Sequence, residues 1–171
     1  MAEHETPQIT DDPDAVAKVR EVMSDIDIAM VTTHNHERSG QLVSRPLSTQ
    51  TADDGDALFL IRKDSSVAAD VRANPQVNLA YAAKTAWLSV AGRAEVVIDD
   101  ALVAELWSAG AKAFMGGGPE DPDNVVLRVR GETAHLWGGD GVLGAVVSTL
   151  KAVAGRDGDD DSSTVVDLGN D

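Results

Sequence analysis

Between residues 26 and 137 the chain breaks into short runs of β-branched and apolar residues, each closed by a turn signal, and this succession restricts the fold more than any other feature. Residues 26–33 form the first run. A polar loop from His34 to Gly40 then reads as a hairpin connection to a second strand over 41–51. Asp53-Asp54-Gly55-Asp56 is a strong turn, and the continuously apolar 57–61 after it is fit for a buried third strand. Residues 77–82 and 87–98 make the next pair, the latter alternating through Leu88, Val90, Gly92, Ala94, Val96 and Ile98, and 125–137 is the last long strand. Short strands in antiparallel order, with two or three helices between them, predict a mainly β fold. The expected architecture is a six-stranded or slightly larger antiparallel barrel with flanking helices, not a βαβ sheet.

The helices are signalled by their ends. Asp12-Pro13 supplies a cap and a first-turn proline ahead of Val16, Val19, Met23 and Ile26, spaced by three or four, so a short amphipathic helix precedes the first strand. Val67, Ala68 and Val71 share one side of segment 65–73, a helix opened by Asp64 or Ser65 and stopped at Asn74-Pro75, because the residue before a proline disfavours helical geometry. Asp99-Asp100 caps a third helix to about Ser108, with Leu102, Val103, Leu106 and Trp107 as its apolar face. A loop rich in glycine and proline follows over 116–123. Farther on, Val142, Ala145, Val146 and Thr149 or Leu150 share a helical face within 141–153, and 164–168 suits a short strand if another strand receives it. The expected organisation is a polar lead over 1–12, one domain over 13–154 and an acidic tail over 155–171.

A chain of 171 residues, 43% hydrophobic and 25% charged, suits one domain with a real core. The formal charge of −15 argues against nucleic acid or an anionic membrane as a partner, since phosphates would be repelled over most of the surface. Much of the excess acid lies near the ends, at Asp11, Asp12, Asp14, Asp157, Asp159, Asp160 and Asp161, and reads as solvated tails. The absence of cysteine excludes disulfides, thiolate metal sites and cysteine nucleophiles, so redox chemistry would have to be borrowed from a cofactor. The polar, acidic start lacks the pattern of a signal peptide and no apolar stretch reaches about 18 residues, so a soluble cytoplasmic protein is expected.

Nucleophile elbows, Walker loops, dinucleotide fingerprints and zinc signatures are missing; Gly116-Gly117-Gly118 lacks the Lys-Ser or Lys-Thr of a phosphate loop. His34 and His36 flank Asn35 in the hairpin loop and read as solvated, not as metal ligands. Ser44-Arg45-Pro46 places a proline inside a strand, which implies an edge or a bulge with the arginine facing a pocket or solvent. The run from Phe59 through Arg62, Lys63, Asp64 and Ser65 leaves a strand and enters a helix start, where amides, hydroxyls and basic side chains converge on an anion. Trp107 and Phe114 bracket a loop that ends in Glu120-Asp121-Pro122. None of these side chains reads as a catalytic acid or base.

Thr32-Thr33, Ser44-Arg45-Pro46, Phe59, Ser65, Asn74-Pro75-Gln76-Val77, Ser89-Val90-Ala91-Gly92, Trp107 and Gly117-Gly118-Pro119-Glu120-Asp121-Pro122 stand in an order that resembles the general stress protein branch of the pyridoxamine 5'-phosphate oxidase-like, FMN-binding split-barrel family. The resemblance covers about residues 13 to 138. It implies a homodimer with flavin mononucleotide (FMN) held noncovalently at the subunit interface. By that likeness Arg45, Arg62 and Ser65, with Lys63 beside them, hold the phosphate. Pro46, Leu47 and Ser48 run beside the ribityl chain or ring, and Trp107 and Phe114 act as lid or stacking residues. At two cofactor positions the chain departs from the family, which commonly carries threonine at Ile61 and lysine at Val67. The function implied is an oxidoreductase that passes electrons from the flavin to a small-molecule acceptor. The alternatives are a flavin-binding stress protein without turnover, or a divergent member using a deazaflavin, haem or no cofactor.

Overall fold

A computed structural model of the chain describes residues 9–84, 86–138 and 163–169. The first elements are β1 (Ile9–Thr10) and α1 (Pro13–Ser24). The Asp12 carboxylate accepts from the Asp14 amide at 2.8 Å, and Pro13 sits in the first turn, where its missing N–H has no intrahelical partner to lose. β2 (Ile28–His34) and β3 (Leu42–Ser48) then pair as an antiparallel hairpin, with Ile28 opposite Ser48 and His34 opposite Leu42.

The single strand expected over 41–51 is divided. β3 ends at Ser48, and β4 (Gln50–Thr51) leaves β2 to pair with β5 (Ala57–Arg62), Gln50 opposite Leu58 and Thr51 opposite Ala57. Thr49 marks the break, donating its amide to the Asp27 carbonyl at 2.9 Å. A continuous β-forming run carries no local sign of a change of partner, which is a long-range choice.

α2 (Ser66–Ala73) is capped by the Ser65 hydroxyl and gives way at Asn74 to β6 (Gln76–Ala82) and β7 (Ala86–Val97). The helix expected to run to about Ser108 is two: α3 (Asp100–Leu106) ends early, Trp107 turns extended, and Ser108 caps the unexpected α4 (Ala109–Phe114). β8 (Asn124–Gly138) follows, and β9 (Ser163–Asp167) lies within the segment expected as an acidic tail. The helix expected over 141–153, most of that tail and the start of the polar lead lie outside the described residues.

These strands form one open, mixed, nine-stranded sheet in the order β1-β9-β8-β7-β6-β2-β3. β8 is long enough to serve two partners along one edge: its first half pairs with β5, from Arg62–Asn124 to Ala57–Val129, and its second half with β9, from Trp137–Ser163 to Thr133–Asp167. All ladders are antiparallel except β1 with β9. A bulge at Ala91/Gly92 bends β7 against β8, and a Cβ on Gly92 would lie 2.2 Å from the Arg130 carbonyl oxygen, so only glycine permits this approach.

The main core lies inside the curved sheet. Val31, Phe59, Leu79, Tyr81, Val90 and Leu127 meet Val19 and Met23 of α1 and Val67 and Val71 of α2. Full burial of a side chain such as Phe59 stabilises by about 1.5–3 kcal/mol. A smaller cluster on the other face of β5 and β8 joins Leu58 and Val126 to Val103 and Leu106 of α3. β5 is thus covered on both faces, as its uninterrupted apolar run requires. Among the described residues, no helix is long and apolar enough to cross a membrane.

Candidate functional site

The curled sheet does not close. Among the described residues, β3 is hydrogen-bonded only to β2, β5 only to β4 and β8, and no ladder joins β3 to β5. Pro46, which has no N–H to offer, sits on that edge strand, the placement its chemistry allows. Along this seam lies a cavity of about 460 Å³. β3 supplies Arg45, Pro46, Leu47 and Ser48; β5 supplies Leu58, Leu60, Ile61 and Arg62; and the start of α2 supplies Ser65, Ser66 and Val67. Leu106, Ser108 and Phe114, from the α3–α4 region, close a third side.

Most residues singled out in the sequence as cofactor-binding therefore converge, although β3 and β5 contribute them from separate hairpins. Lys63 and Trp107 do not line the cavity. Lys63 turns to Asp123, Nζ to Oδ1 at 2.5 Å. Trp107 packs against the cluster of Leu58, Val103, Leu106 and Val126, α3 ends one residue before it, and Leu106 faces the cavity instead. Phe114 is 88% exposed at the rim, and Ile61 and Val67 are buried in the wall. The Ser65 hydroxyl is committed locally: it donates to the Arg62 carbonyl at 2.6 Å and accepts from the Ala68 amide.

Each cavity arginine is held by carboxylates. Arg62 Nη1 donates to Asp121 Oδ2 at 2.9 Å and Asn124 Oδ1 at 3.1 Å, and Nη2 to Asp123 Oδ2 at 3.1 Å. Its Nε–H and one Nη2–H have no partner among the described residues. The hydrogen bond to Asp121 raises Arg62 above its ordinary pKa. The Asp123 amide, then Arg62, lower that of Asp121. The loop that presents these carboxylates is tied by buried Asn124, whose Nδ2 donates to the Gly116 and Gly118 carbonyls at 3.1 and 2.9 Å. Gly117 takes φ +72° there, and a Cβ would fall 2.2 Å from Asp121 Oδ2, so the turn requires glycine.

Arg45 belongs to a second cluster, centred on the buried Asp70 of α2. Arg45 Nη2 donates to Asp70 Oδ2 at 3.0 Å and Nη1 to Thr33 Oγ1 at 2.8 Å, while Thr33 donates to the same Asp70 oxygen at 2.7 Å. His36 corrects the expectation of a solvated loop: its amide donates to Asp70 Oδ1 at 2.9 Å and its Nδ1 lies 2.6 Å from that oxygen. Burial pushes the Asp70 carboxyl up, but the hydrogen bonds from Thr33, His36 and Arg45 outweigh it and hold the group well below the usual carboxylate range. Asp70 itself escaped the sequence reading. The available signal was an acid on the apolar side of a helix, beside Val67 and Val71. Among the described residues, no three His, Cys, Asp or Glu side chains gather as a metal site.

Comparison with known proteins bears on this geometry. The family described as pyridoxamine 5'-phosphate oxidase like matches residues 14–160. Protein bli-3 of Neurospora crassa is 33% identical over 119 residues, which cover 63% of this chain and 56% of that protein, so the chain spans little more than half the length of that relative. The solved general stress FMN/FAD binding protein from Xanthomonas citri is 23% identical with a TM-score of 0.64, over 76% of this chain and 92% of that one. General Stress Protein 26 from Bacillus anthracis str. Sterne is 18% identical with a TM-score of 0.64, over 71% and 92% of the two chains. At these identities the two structures show the fold alone, a split barrel.

Proposed function

The chain belongs to the pyridoxamine 5'-phosphate oxidase like family, and from that premise we propose that it is a flavoprotein that holds FMN in the seam cavity and passes electrons to a small-molecule acceptor. The observation that carries this reading is the meeting of residues 45–48 with Ile61, Arg62, Ser65, Ser66 and Val67 across a gap that no ladder among the described residues bridges. The cavity volume lies within the range of about 300–1,000 Å³ common for small-molecule sites. The name of the Xanthomonas citri neighbour, an FMN/FAD binding protein, points to the same cofactor class.

The residues present fit a flavin. Leu47, Leu58, Leu60 and Leu106 offer apolar walls for a planar ring. The remaining N–H groups of Arg45 and Arg62 and the amides of Ser66 and Val67 at the start of α2, which have no intrahelical acceptor, suit the ribityl chain and its phosphate. When bound, the flavin supplies the electron-transfer chemistry. The chain's own groups orient it and exclude water from one side.

A homodimer completes the site in this reading. Ile28 lines the cavity and is 56% exposed, and Met30 and Trp87 on the same sheet are 40% and 51% exposed, an apolar surface that a second copy would cover. Light scattering on the purified protein is expected to give twice the chain mass.

The visible absorption spectrum of the purified protein tests the central claim. A flavin spectrum with FMN released on denaturation is the expected result, and colourless protein that fails to take up added flavin refutes it. Turnover with a reduced nicotinamide and an electron acceptor then separates an oxidoreductase from a protein that only stores flavin.

A further inference from the structure

Arg45 and Arg62 are the only charged side chains among the described residues that line the cavity, and each has a carboxylate against it. Arg45 lies 3.0 Å from Asp70, Arg62 lies 2.9 Å from Asp121 and 3.1 Å from Asp123, and neighbouring Lys63 lies 2.5 Å from Asp123. Two further charges stand close by. Asp64 follows Lys63 in the chain, and Arg72 donates to the Lys63 carbonyl at 2.8 Å. Arg45, Arg62 and Lys63 are thus each paired with a carboxylate, and the charges of Asp64 and Arg72 are equal and opposite, so the side chains that one protomer brings to this part of the cavity sum to no net positive charge, within a chain of net charge −15. The wall between the two arginines is apolar, formed by Ile61 and Val67, each 3% exposed.

A phosphate monoester carries about −1.5 to −2 charges at pH 7. Against matched cations it gains hydrogen bonds from the remaining N–H groups but little net Coulombic attraction, and it gives up the water that solvates it. Burial of a flavin ring against the leucine walls is the same with or without the phosphate. We infer that the cavity does not select for the phosphate: it takes a flavin with an unphosphorylated ribityl chain, riboflavin being the simplest, as readily as FMN, because Asp70, Asp121 and Asp123 neutralise the arginines that would recognise it. This inference rests on the flavin reading above.

Fluorescence titration of the flavin-free full-length protein with FMN and with riboflavin is the test. The two dissociation constants are expected to agree within about threefold, well short of the tenfold that corresponds to about 1.4 kcal/mol. The Asp121→Asn, Asp123→Asn double variant leaves Arg62 and Lys63 without their ion pairs, and should bind FMN about tenfold more tightly with riboflavin unchanged. Wild-type protein that prefers FMN by more than tenfold overturns the inference and leaves the flavin reading standing. A double variant with an unaltered ratio of the two constants overturns it as well. Uptake of neither flavin removes both.

Discussion

Arg45 and Arg62 reach the same cavity from opposite sides of the seam, but the carboxylates that hold them sit in opposite surroundings. The Asp70 side chain is 2% exposed and accepts from Thr33, from the amide and ring of His36, and from Arg45, so one buried charge joins β2, the β2–β3 loop, β3 and α2. Asp121 and Asp123 are 25% and 39% exposed, on a loop stapled by Asn124. The contrast separates two uses of an ion pair. A buried carboxylate with all its hydrogen bonds made is a structural pin, and losing a partner strands a charge; a half-exposed one is screened by water and adjusts local potential at little cost in stability.

Removal of the buried partner separates the two roles most clearly. Asp70→Ala leaves Arg45 and the Thr33 hydroxyl without their acceptor and is expected to destabilise by about 3–5 kcal/mol in urea denaturation. A cost near zero would mean that water reaches this cluster and that it is no pin. Acid provides a finer probe. Because the folded-state pKa of Asp70 lies below its ordinary value of 3.8, its contribution is complete at neutral pH and is lost as pH falls through and below about 4. Asp70→Asn should therefore flatten the acid loss of stability relative to wild type, by at most about 1.4 kcal/mol per pH unit. Parallel acid curves for the two proteins would assign the loss to other carboxylates. The smallest effect belongs to the exposed pair: Arg62→Ala should shift the urea midpoint far less than Asp70→Ala does, because water screens its ion pairs. A cost equal to that of Asp70→Ala would erase the distinction between the two clusters.

Much of the frame was legible because its signals act over a few residues. Asp12-Pro13 opens α1, Ser65 opens α2, Asn74-Pro75 closes it, and the proline in Ser44-Arg45-Pro46 marks the edge strand. The ordered motifs between residues 13 and 138 placed the chain in its family and fold. Most of the candidate site residues do meet at one cavity. Other features left no local mark. The split of 41–51 into β3 and β4 depends on which strand each half finds, and the break between α3 and α4 moves Trp107 off the cavity by a single residue. His36 looked like loop because its partner lies on a helix 34 residues away.

From its residues alone, then, the chain determined the mainly β class, the helix ends, the edge position of Pro46 and the presence of arginines and hydroxyls near a helix start, since caps, prolines and alternation are decided within a turn or a pleat. Tertiary structure decided the charge of the site. Arg45 meets Asp70 across 25 positions and Arg62 meets Asp121 across 59, and ion pairs of that span exist only once the fold has set β3 against α2 and paired the end of β5 with the start of β8. Basic residues counted along a sequence report how many cations are available, whereas the potential a ligand meets depends on which carboxylates the fold has already brought against them.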